Sequence, residues 1–473
     1  MLKVIQRKNK PEEQAKAQVH LEPAAWDFGT TGNKVFFISL GCPRNLVDTE
    51  VMIGILLQAG FEATGELKDA DFIVINTCGF LESSRQESLD TIGEALKSRK
   101  KNAKVIATGC MAQSHGDLIR STFPDIHYLL GSGDVKEILR AVEAKEHGAY
   151  ISSAKSFLEM GEVPRTLSTP ANYAYLKIAE GCRKRCAFCK IPSIKGPLKS
   201  KTIEQVVKEV SLLLNNGIQE IILIAQDLGD WGKDLGYSKS QGLVALLQAI
   251  LNSTDQHFWL RLLYLYPDEI SEELIALMKK DTRICHYLDM PLQHINDDIL
   301  KAMRRTTSKQ EIMDTLSSLR REIPDIVIRT SLMVGFPGET EEQFEELCSF
   351  VKLGLLDDVG IFKFSKEEGT HAATLPEQIA EEVKQERLVK LSDLQRKQVT
   401  KKNKKFIGKQ LQVIVEGYHP ESNLLMRGRY YGQCPEIDGM VIINDGRKVK
   451  AFGKHYNVQI TDVTDYDLIG RVL

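Results

Sequence analysis

From Lys34 onward the chain alternates short apolar segments with longer amphipathic ones, and this alternation restricts the fold more than any other feature. "KVFFISL", "DFIVINT", "KVIAT" and "HYLLG" read as strands, while "NLVDTEVMIGILLQAG", "ESSRQESLDTIGEALKSRK", "HGDLIRSTF" and "DVKEILRAVEA" carry the apolar period of helices. Strands joined through helices pair in parallel and need both faces covered, so residues 34–150 are expected to form an α/β domain with a doubly wound parallel sheet. Residues 151–170, with Ser, Thr, two prolines and little period, read as a linker. A second series spans 171–400, with strands at "YAYLKIAEG", "EIILIAQ", "FWLRLLYL", "YLDMPLQ", "IVIRTSLMVG" and "VGIFKFS". Six strands fall short of the eight of a closed βα barrel, so an open, partial barrel is expected. Beyond the charged helix ending "KKNKK", residues 401–473 break into short alternating segments such as "KQLQVIVEGY" and "GMVIINDG" between Gly, Asn and Asp turns. These read as a small antiparallel β-barrel. Residues 1–33 are polar, lack a clear period and read as an extension without assigned function.

Composition removes several function classes. The 64 acidic and 62 basic residues leave a net charge of −2, which lacks the basic excess of a protein that grips nucleic acid mainly by charge. The basic start has no apolar region behind it, and no run approaches the ~18 apolar residues of a membrane span, so a cytoplasmic location is expected. In that reducing setting nine cysteines point to metal or redox chemistry rather than to disulfides.

Three of the nine lie in "EGCRKRCAFCKIP", where Cys182, Cys186 and Cys189 are spaced C-x3-C-x2-C just after the first strand of the second series. The rim after the strands is where βα barrels gather their chemistry. Three thiolates in one loop can hold three corners of a cubane iron-sulfur cluster and leave the fourth iron open, whereas structural zinc takes four ligands. Three packed or zinc-bound cysteines are the plainer alternative. The spacing and placement resemble the radical S-adenosylmethionine (radical SAM) superfamily, in which the methionine amine and carboxylate of the cosubstrate fill the open corner. On that resemblance the bound SAM is cleaved to a 5′-deoxyadenosyl radical, which takes hydrogen from unactivated carbon. Phe188 matches the aromatic residue usual before the last cysteine, although a packing role explains it equally well. The same rim offers further candidates for cofactor or substrate contacts: Gln226 and Asp227 in "AQD", Gln293 and His294 in "PLQH", and Gly335 and Glu339 in the turn "GFPGET".

Cys42 in "SLGCPRN", Cys78 in "INTCGF" and Cys110 in "ATGCMAQ" each follow a strand of the first series, 36 and 32 residues apart, about one βα unit apiece. Loops after the strands of a doubly wound sheet share one edge, so the three thiols are expected to converge. Each has a glycine neighbour that allows close backbone approach; small apolar residues ending buried strands are the bland reading. Cys285, Cys348 and Cys434 share no such pattern and are expected to pack.

Two cysteine trios followed by a C-terminal barrel of the TRAM type resemble the methylthiotransferase family over about residues 34–473. The resemblance implies that Cys42, Cys78 and Cys110 hold an auxiliary 4Fe-4S cluster whose open iron carries exogenous sulfur, beside the radical SAM 4Fe-4S cluster of Cys182, Cys186 and Cys189. One SAM methylates the sulfur, and a second activates the substrate C–H bond into which the methylthio group is inserted. Of two subgroups, one modifies an adenosine of transfer RNA and the other the β-carbon of an aspartate in the twelfth protein of the small ribosomal subunit. "SLGCPRNLVDTE", "YAYLKIAEGC", "FCKIPS", "YLDMPLQH" and "CPEIDG" resemble the second. From Phe406 to Leu473 eight Lys+Arg balance eight Asp+Glu, which suits a protein target better than bulk RNA binding. The implied partners are that ribosomal protein, free or within the assembled subunit, an electron donor and a sulfur donor. A non-catalytic iron-sulfur or zinc protein docking on RNA is the reading from another class. The sequence departs from the family at Arg183, where Asn is common, and at Lys195, Lys199 and Lys201, where arginines are usual. Lysine keeps the charge of a carboxylate or cofactor clamp but loses the planar fork.

Overall fold

The computed structural model describes residues 20–21, 31–158, 163–170, 172–238 and 241–473. The polar extension falls almost wholly outside them, as does part of the linker. The chain divides into two compact units. The first runs to Lys184 and takes in Cys189–Asn216 and Ile224–Gln226, and the second comprises Arg185–Phe188, Gly217–Leu223 and Asp227–Leu473.

In the first unit the four expected strands, Lys34–Ser39, Phe72–Thr77, Lys104–Gly109 and Tyr128–Leu130, lie side by side in one parallel sheet. Alternate residues of each strand enter opposite cores, which is why the strands read as continuous apolar runs. Val35, Phe37, Val74 and Ile106 pack with Val51, Met52, Leu56 and Ile138 on one face, from the helices Pro43–Gln58 and Ile138–Glu143. Phe36, Ile38, Ile75 and Val105 pack with Ile92, Met111 and Ile119 on the other, from Glu82–Ser98 and Cys110–Thr122. Each such fully buried side chain contributes about 1.5–3 kcal/mol relative to exposure. Two edge strands, Glu62–Ala63 and Gly148–Tyr150, extend the sheet. At two and three residues they are too short to carry a period.

The remainder of the first unit includes the strand Tyr173–Lys177 and an antiparallel pair, Ala179–Glu180 with Lys199–Ser200. The helix Ile203–Asn215 follows, started by a capping box in which Thr202 and Gln205 satisfy each other's backbone N–H groups.

In the second unit Glu220–Ile224, Trp259–Leu262, Ile284–Asp289, Val327–Val334 and Asp358–Lys363 pair in parallel, each beside its predecessor. All six strand segments expected of the second series therefore form, and their sheet stays open. The C-terminal barrel is closed in the order Gln410–His419, Ser422–Arg429, Val441–Asp445, Leu468–Val472, Lys454–Val463. It departs from a purely antiparallel barrel in one pairing, Val441–Asp445 beside Leu468–Val472, which is parallel. A ring of alternating directions needs an even number of strands, so closing five leaves one like-directed pair. Val413, Val415, Val441, Ile443, Val458, Ile460 and Leu468 fill the interior.

Buried polar contacts fasten the barrel to the open sheet. Glu220 accepts from Arg261 Nε at 2.6 Å and from Arg429 Nη2 at 2.7 Å, and Arg261 Nη1 donates to the Tyr431 carbonyl at 2.7 Å. Tyr287 Oη donates to Asp438 at 2.8 Å, and the same carboxylate pairs with Arg329 Nε at 3.3 Å. No helix among the described residues is long and apolar enough to cross a membrane.

Candidate metal centres

The first trio sits where the strand ends dictate. Cys42 is the N-cap of Pro43–Gln58, Cys78 directly follows Phe72–Thr77, and Cys110 opens Cys110–Thr122. Their loops are in contact. A Cβ on Gly41, where φ is +83°, would stand 2.9 Å from Cys78 Cβ and Sγ, and one on Gly79 would stand 3.0 Å from the Cys110 carbonyl carbon. Only glycine fits this approach. Asn45 ties the loops together, donating to the Leu40 and Thr77 carbonyls at 3.1 Å each while its Oδ1 lies 3.6 Å from Cys110 Sγ. Ser88 closes both backbone groups of Cys78 at 3.1 Å.

Burial, and then the neighbouring cysteines, push the Cys110 thiol up to about 12 and raise Cys78 as well. Like charges that repel when ionised are what a polynuclear metal centre neutralises, and ligation would deprotonate all three. Three thiols held by three neighbouring strand ends, with Asn45 ordering them, fit a cubane cluster with one corner left open.

Behind this trio lies a buried network of charged groups. The helix that Cys42 caps carries Asp48 and Glu50 on its buried side, 3% and 1% exposed. Arg165 places Nε and Nη2 on Glu50 Oε2 at 3.0 and 2.8 Å and Nη1 on Glu209 Oε1 at 2.7 Å. Ser168 donates to the other Glu50 oxygen through its backbone and its hydroxyl. Lys201 pairs with Glu209, and Lys177 with Asp48, with Glu180 at 3.0 Å and with the Phe157 carbonyl at 2.8 Å. Lys195 Nζ stands 2.9 Å from Glu180 Oε1 and 3.7 Å from Asp48 Oδ2. Burial alone would raise Glu180; the ammoniums of Lys177 and Lys195 outweigh it and hold the carboxyl at about 2. Lys195 and Lys201 thus clamp the chain's own carboxylates, while Lys199 is exposed. Asp48, Glu50, Arg165, Lys177, Glu180 and Glu209 did not stand out in the sequence. The signal available was two acids inside an otherwise apolar helix.

The second trio is divided between the units. In the first, Cys182 N donates to the Gly196 carbonyl at 3.3 Å, and Ile191 N donates to Cys189 Sγ at 3.4 Å. In the second, Ala187 is pinned by the Met303 carbonyl at 2.9 Å and by Ala372 N at 2.8 Å. Arg305 lies 3.6 Å from Cys186 Sγ and stacks its guanidinium 4.1 Å from the Tyr266 ring. Phe188 packs against an apolar cluster containing Ala187, Met303, Phe336 and Phe364. Three cysteines in eight residues, the last receiving a backbone N–H, are a donor set suited to a cluster with one open corner.

The rim candidates have distinct settings. Both side-chain polar atoms of Gln226 are buried with no hydrogen-bond partner among the described residues. Asp227 lies with Asp230 and Glu269, and Lys233 pairs with the latter two. Gln293 is held at φ +72° between Ser331 and Met333, a conformation that costs a non-glycine residue roughly 1–3 kcal/mol. His294 Nδ1 accepts from Asn296 N at 3.0 Å, Nε2 has no partner among the described residues, and burial lowers the ring to about 4. In the glycine turn the N–H groups of Gly335 and Phe336 donate to Glu339 Oε2 at 2.5 and 3.1 Å, so the turn is closed by its own carboxylate. Arg387 faces the other oxygen at 3.2 Å. Cys285, Cys348 and Cys434 are buried packing residues.

Comparison with known proteins matches three family models in chain order. Uncharacterized protein family UPF0004 covers residues 34–131, the Radical SAM superfamily 176–351 and the TRAM domain 407–473. With two cysteine trios on such a frame, the fold defines a radical SAM methylthiotransferase that uses SAM and iron-sulfur clusters. The chain belongs to the family of the ribosomal protein uS12 methylthiotransferase RimO. It is 65% identical to the member from Protochlamydia amoebophila over 94% of both chains. Against the Chlamydia abortus protein it is 55% identical over 94% of this chain and 96% of that one. Among solved structures it is similar to the radical SAM methyltransferase TsrM from Kitasatospora setae, at 16% identity and a TM-score of 0.49 over 70% of this chain and 75% of that one.

Proposed function

We propose that this methylthiotransferase acts on ribosomal protein uS12, inserting a methylthio group at the β-carbon of an aspartate and using two SAM per turnover. The observation that carries the reading is the convergence of Cys42, Cys78 and Cys110 on one edge of the first sheet, in a chain that also holds C-x3-C-x2-C. The relatives bearing the uS12 name match over nearly the whole chain, barrel included, and support the choice of substrate.

When bound, the two clusters and SAM supply a methylatable sulfur and a radical able to abstract hydrogen. The chain's part is to hold and orient. Cys42, Cys78 and Cys110 would hold the sulfur-bearing cluster, and Asn45 and Ser88 fix the loops that carry them. Cys182, Cys186 and Cys189 hold the second cluster, with Ile191 N–H and the Arg305 guanidinium offsetting thiolate charge. Gln226, whose amide has no hydrogen-bond partner among the described residues, is the candidate cosubstrate contact, and Asp227, Gln293, Gly335, Glu339 and Phe188 are further candidates. The reaction needs an electron donor and a sulfur donor and would take place in the cytoplasm, where uS12 is made. It is tested by the intact mass of small-subunit proteins from cells with and without the gene, with transfer-RNA nucleosides analysed from the same cultures. A methylthio-for-hydrogen increment on uS12 that disappears with the gene supports the reading. Loss of a methylthio-adenosine with uS12 unchanged overturns the substrate.

A further inference from the structure

The helix Asp297–Ala302 ends in a way that its sequence does not favour, and the ending brings one side chain onto the second cysteine trio. Arg304 stands at φ +58°, left-handed backbone that costs a non-glycine residue roughly 1–2 kcal/mol. Its N–H donates to the Lys301 carbonyl and that of Arg305 to the Leu300 carbonyl, each at 2.9 Å, a paired closure that usually has glycine at this position. Two contacts with the cysteine loop follow. The Met303 carbonyl accepts the Ala187 N–H at 2.9 Å, and Arg305 Nη1 donates to Cys186 Sγ at 3.6 Å. The other arm of the fork, Nη2, donates to the Pro291 carbonyl, while the guanidinium lies 4.1 Å from the centroid of the Tyr266 ring. Carbonyl and ring fix the plane of the guanidinium, so its N–H is held on the sulfur and does not rotate as an ammonium would. No carboxylate pairs with Arg305 among the described residues, so the anion left to meet its charge is the Cys186 thiolate. All of these groups belong to the second unit.

We propose that Arg305 is a positioning residue for the radical SAM cluster, holding the Cys186 thiolate through a charge-assisted N–H···S bond that raises the reduction potential of the centre. The proposal rests on the reading of Cys182, Cys186 and Cys189 as the ligands of that cluster. Its reduction takes one electron from the external one-electron donor that the reaction already requires. The centre gains one negative charge; no bond forms or breaks, and no proton moves. A cation that donates to a ligand sulfur stabilises the more negative, reduced form more than the oxidised one, so the potential rises. Arg304 provides an internal comparison, since it is adjacent, carries the same charge and is exposed. Glycine suits its backbone, so R304G removes a nearby charge while keeping the turn.

The experiment uses the full chain with both clusters reconstituted, as wild type, R305M, R305K and R304G. It reads iron content and the potential of each cluster, by redox titration followed with electron paramagnetic resonance. The radical SAM cluster is the one whose signal changes when SAM is added. With about eight irons per chain retained, R305M is expected to lower the equilibrium constant for reducing that cluster about tenfold, a shift of about 59 mV to lower potential for one electron. R305K, which keeps the charge without the fork, should fall between R305M and wild type. R304G should match wild type, and the other cluster should stay unmoved throughout. An unchanged potential in an eight-iron R305M protein overturns the proposal, as does an equal shift in R304G or in both clusters. Should R305M fall to about four irons, R305K decides: about eight irons with a lowered potential supports the proposal, whereas a wild-type potential or a second loss of iron overturns it. A wild type that never exceeds about four irons would instead overturn the cluster reading itself.

Discussion

Lys195 Nζ lies 2.9 Å from Glu180 Oε1, two residues before the first cysteine of the C-x3-C-x2-C loop, and 3.7 Å from Asp48 Oδ2 on the helix that Cys42 caps. One buried cation therefore touches the electrostatics of both cysteine-bearing segments within the first unit.

The two trios should be separable by iron content. Replacing Cys42, Cys78 and Cys110 together by alanine is expected to leave about four irons of an original eight and to preserve SAM cleavage under reduction. The reciprocal triple alanine variant at Cys182, Cys186 and Cys189 should also keep about four irons but lose SAM cleavage. Loss of all iron in either protein would contradict two independent centres.

Arg165 joins Glu50 to Glu209, both nearly inaccessible to water. R165M leaves two buried carboxylates short of their main cation and is expected to destabilise the first unit by about 3–5 kcal/mol. A urea titration followed by circular dichroism checks this; a midpoint within error of wild type would contradict it.

Glu220 sits between Arg261 and Arg429, which hold its carboxyl below the ordinary range against the effect of burial. E220Q removes the charge that both guanidiniums share, with an expected cost of about 3–5 kcal/mol. The loss should appear as faster proteolysis between the open sheet and the barrel, read by the appearance of a fragment beginning near residue 404. Unchanged protease resistance would show that the ion pairs are not what fastens the barrel.

Burial raises Glu339 from 4.5 to about 7, against Arg387 and the two N–H groups of its own turn. The folded carboxyl holds its proton more tightly than the unfolded one, so protonation favours the fold. This contribution is fully present below pH 4.5 and is lost as pH rises through 7, a change of about 3 kcal/mol at its limit. E339Q keeps an oxygen for Gly335 and Phe336 but cannot titrate. The stability difference between wild type and E339Q should therefore shift in favour of wild type as pH is lowered from 7.5 to 5.5. A difference that does not vary with pH would contradict the assignment.

The sequence was most readable where one residue answers to one local force. Val35 to Ile38 announce a strand because both faces are covered, and the cysteines announce a site because each ends such a strand. Glu62–Ala63 and Gly148–Tyr150 escaped because edge strands this short draw their structure from a neighbour. The Arg165 and Lys177 networks escaped for a related reason. A buried charge is recognisable only through its partner, and Glu50 lies 115 residues from Arg165. The glycine turn was readable as a turn, whereas its closure by Glu339 depends on a carboxylate folding back over four residues.

The docking of the barrel sets a length scale. Glu220 opens its strand and Arg329 is the third of the eight residues of its own, and both receive the barrel, whereas Gln293 and Gly335 follow strand ends. From Arg329 to Gly335 the strand rises ~20 Å. With the barrel clasped at one end of this sheet, a target that touches both it and the glycine turn must reach across that span. A free amino acid or nucleoside is far too short; a folded polypeptide with a projecting loop has the reach.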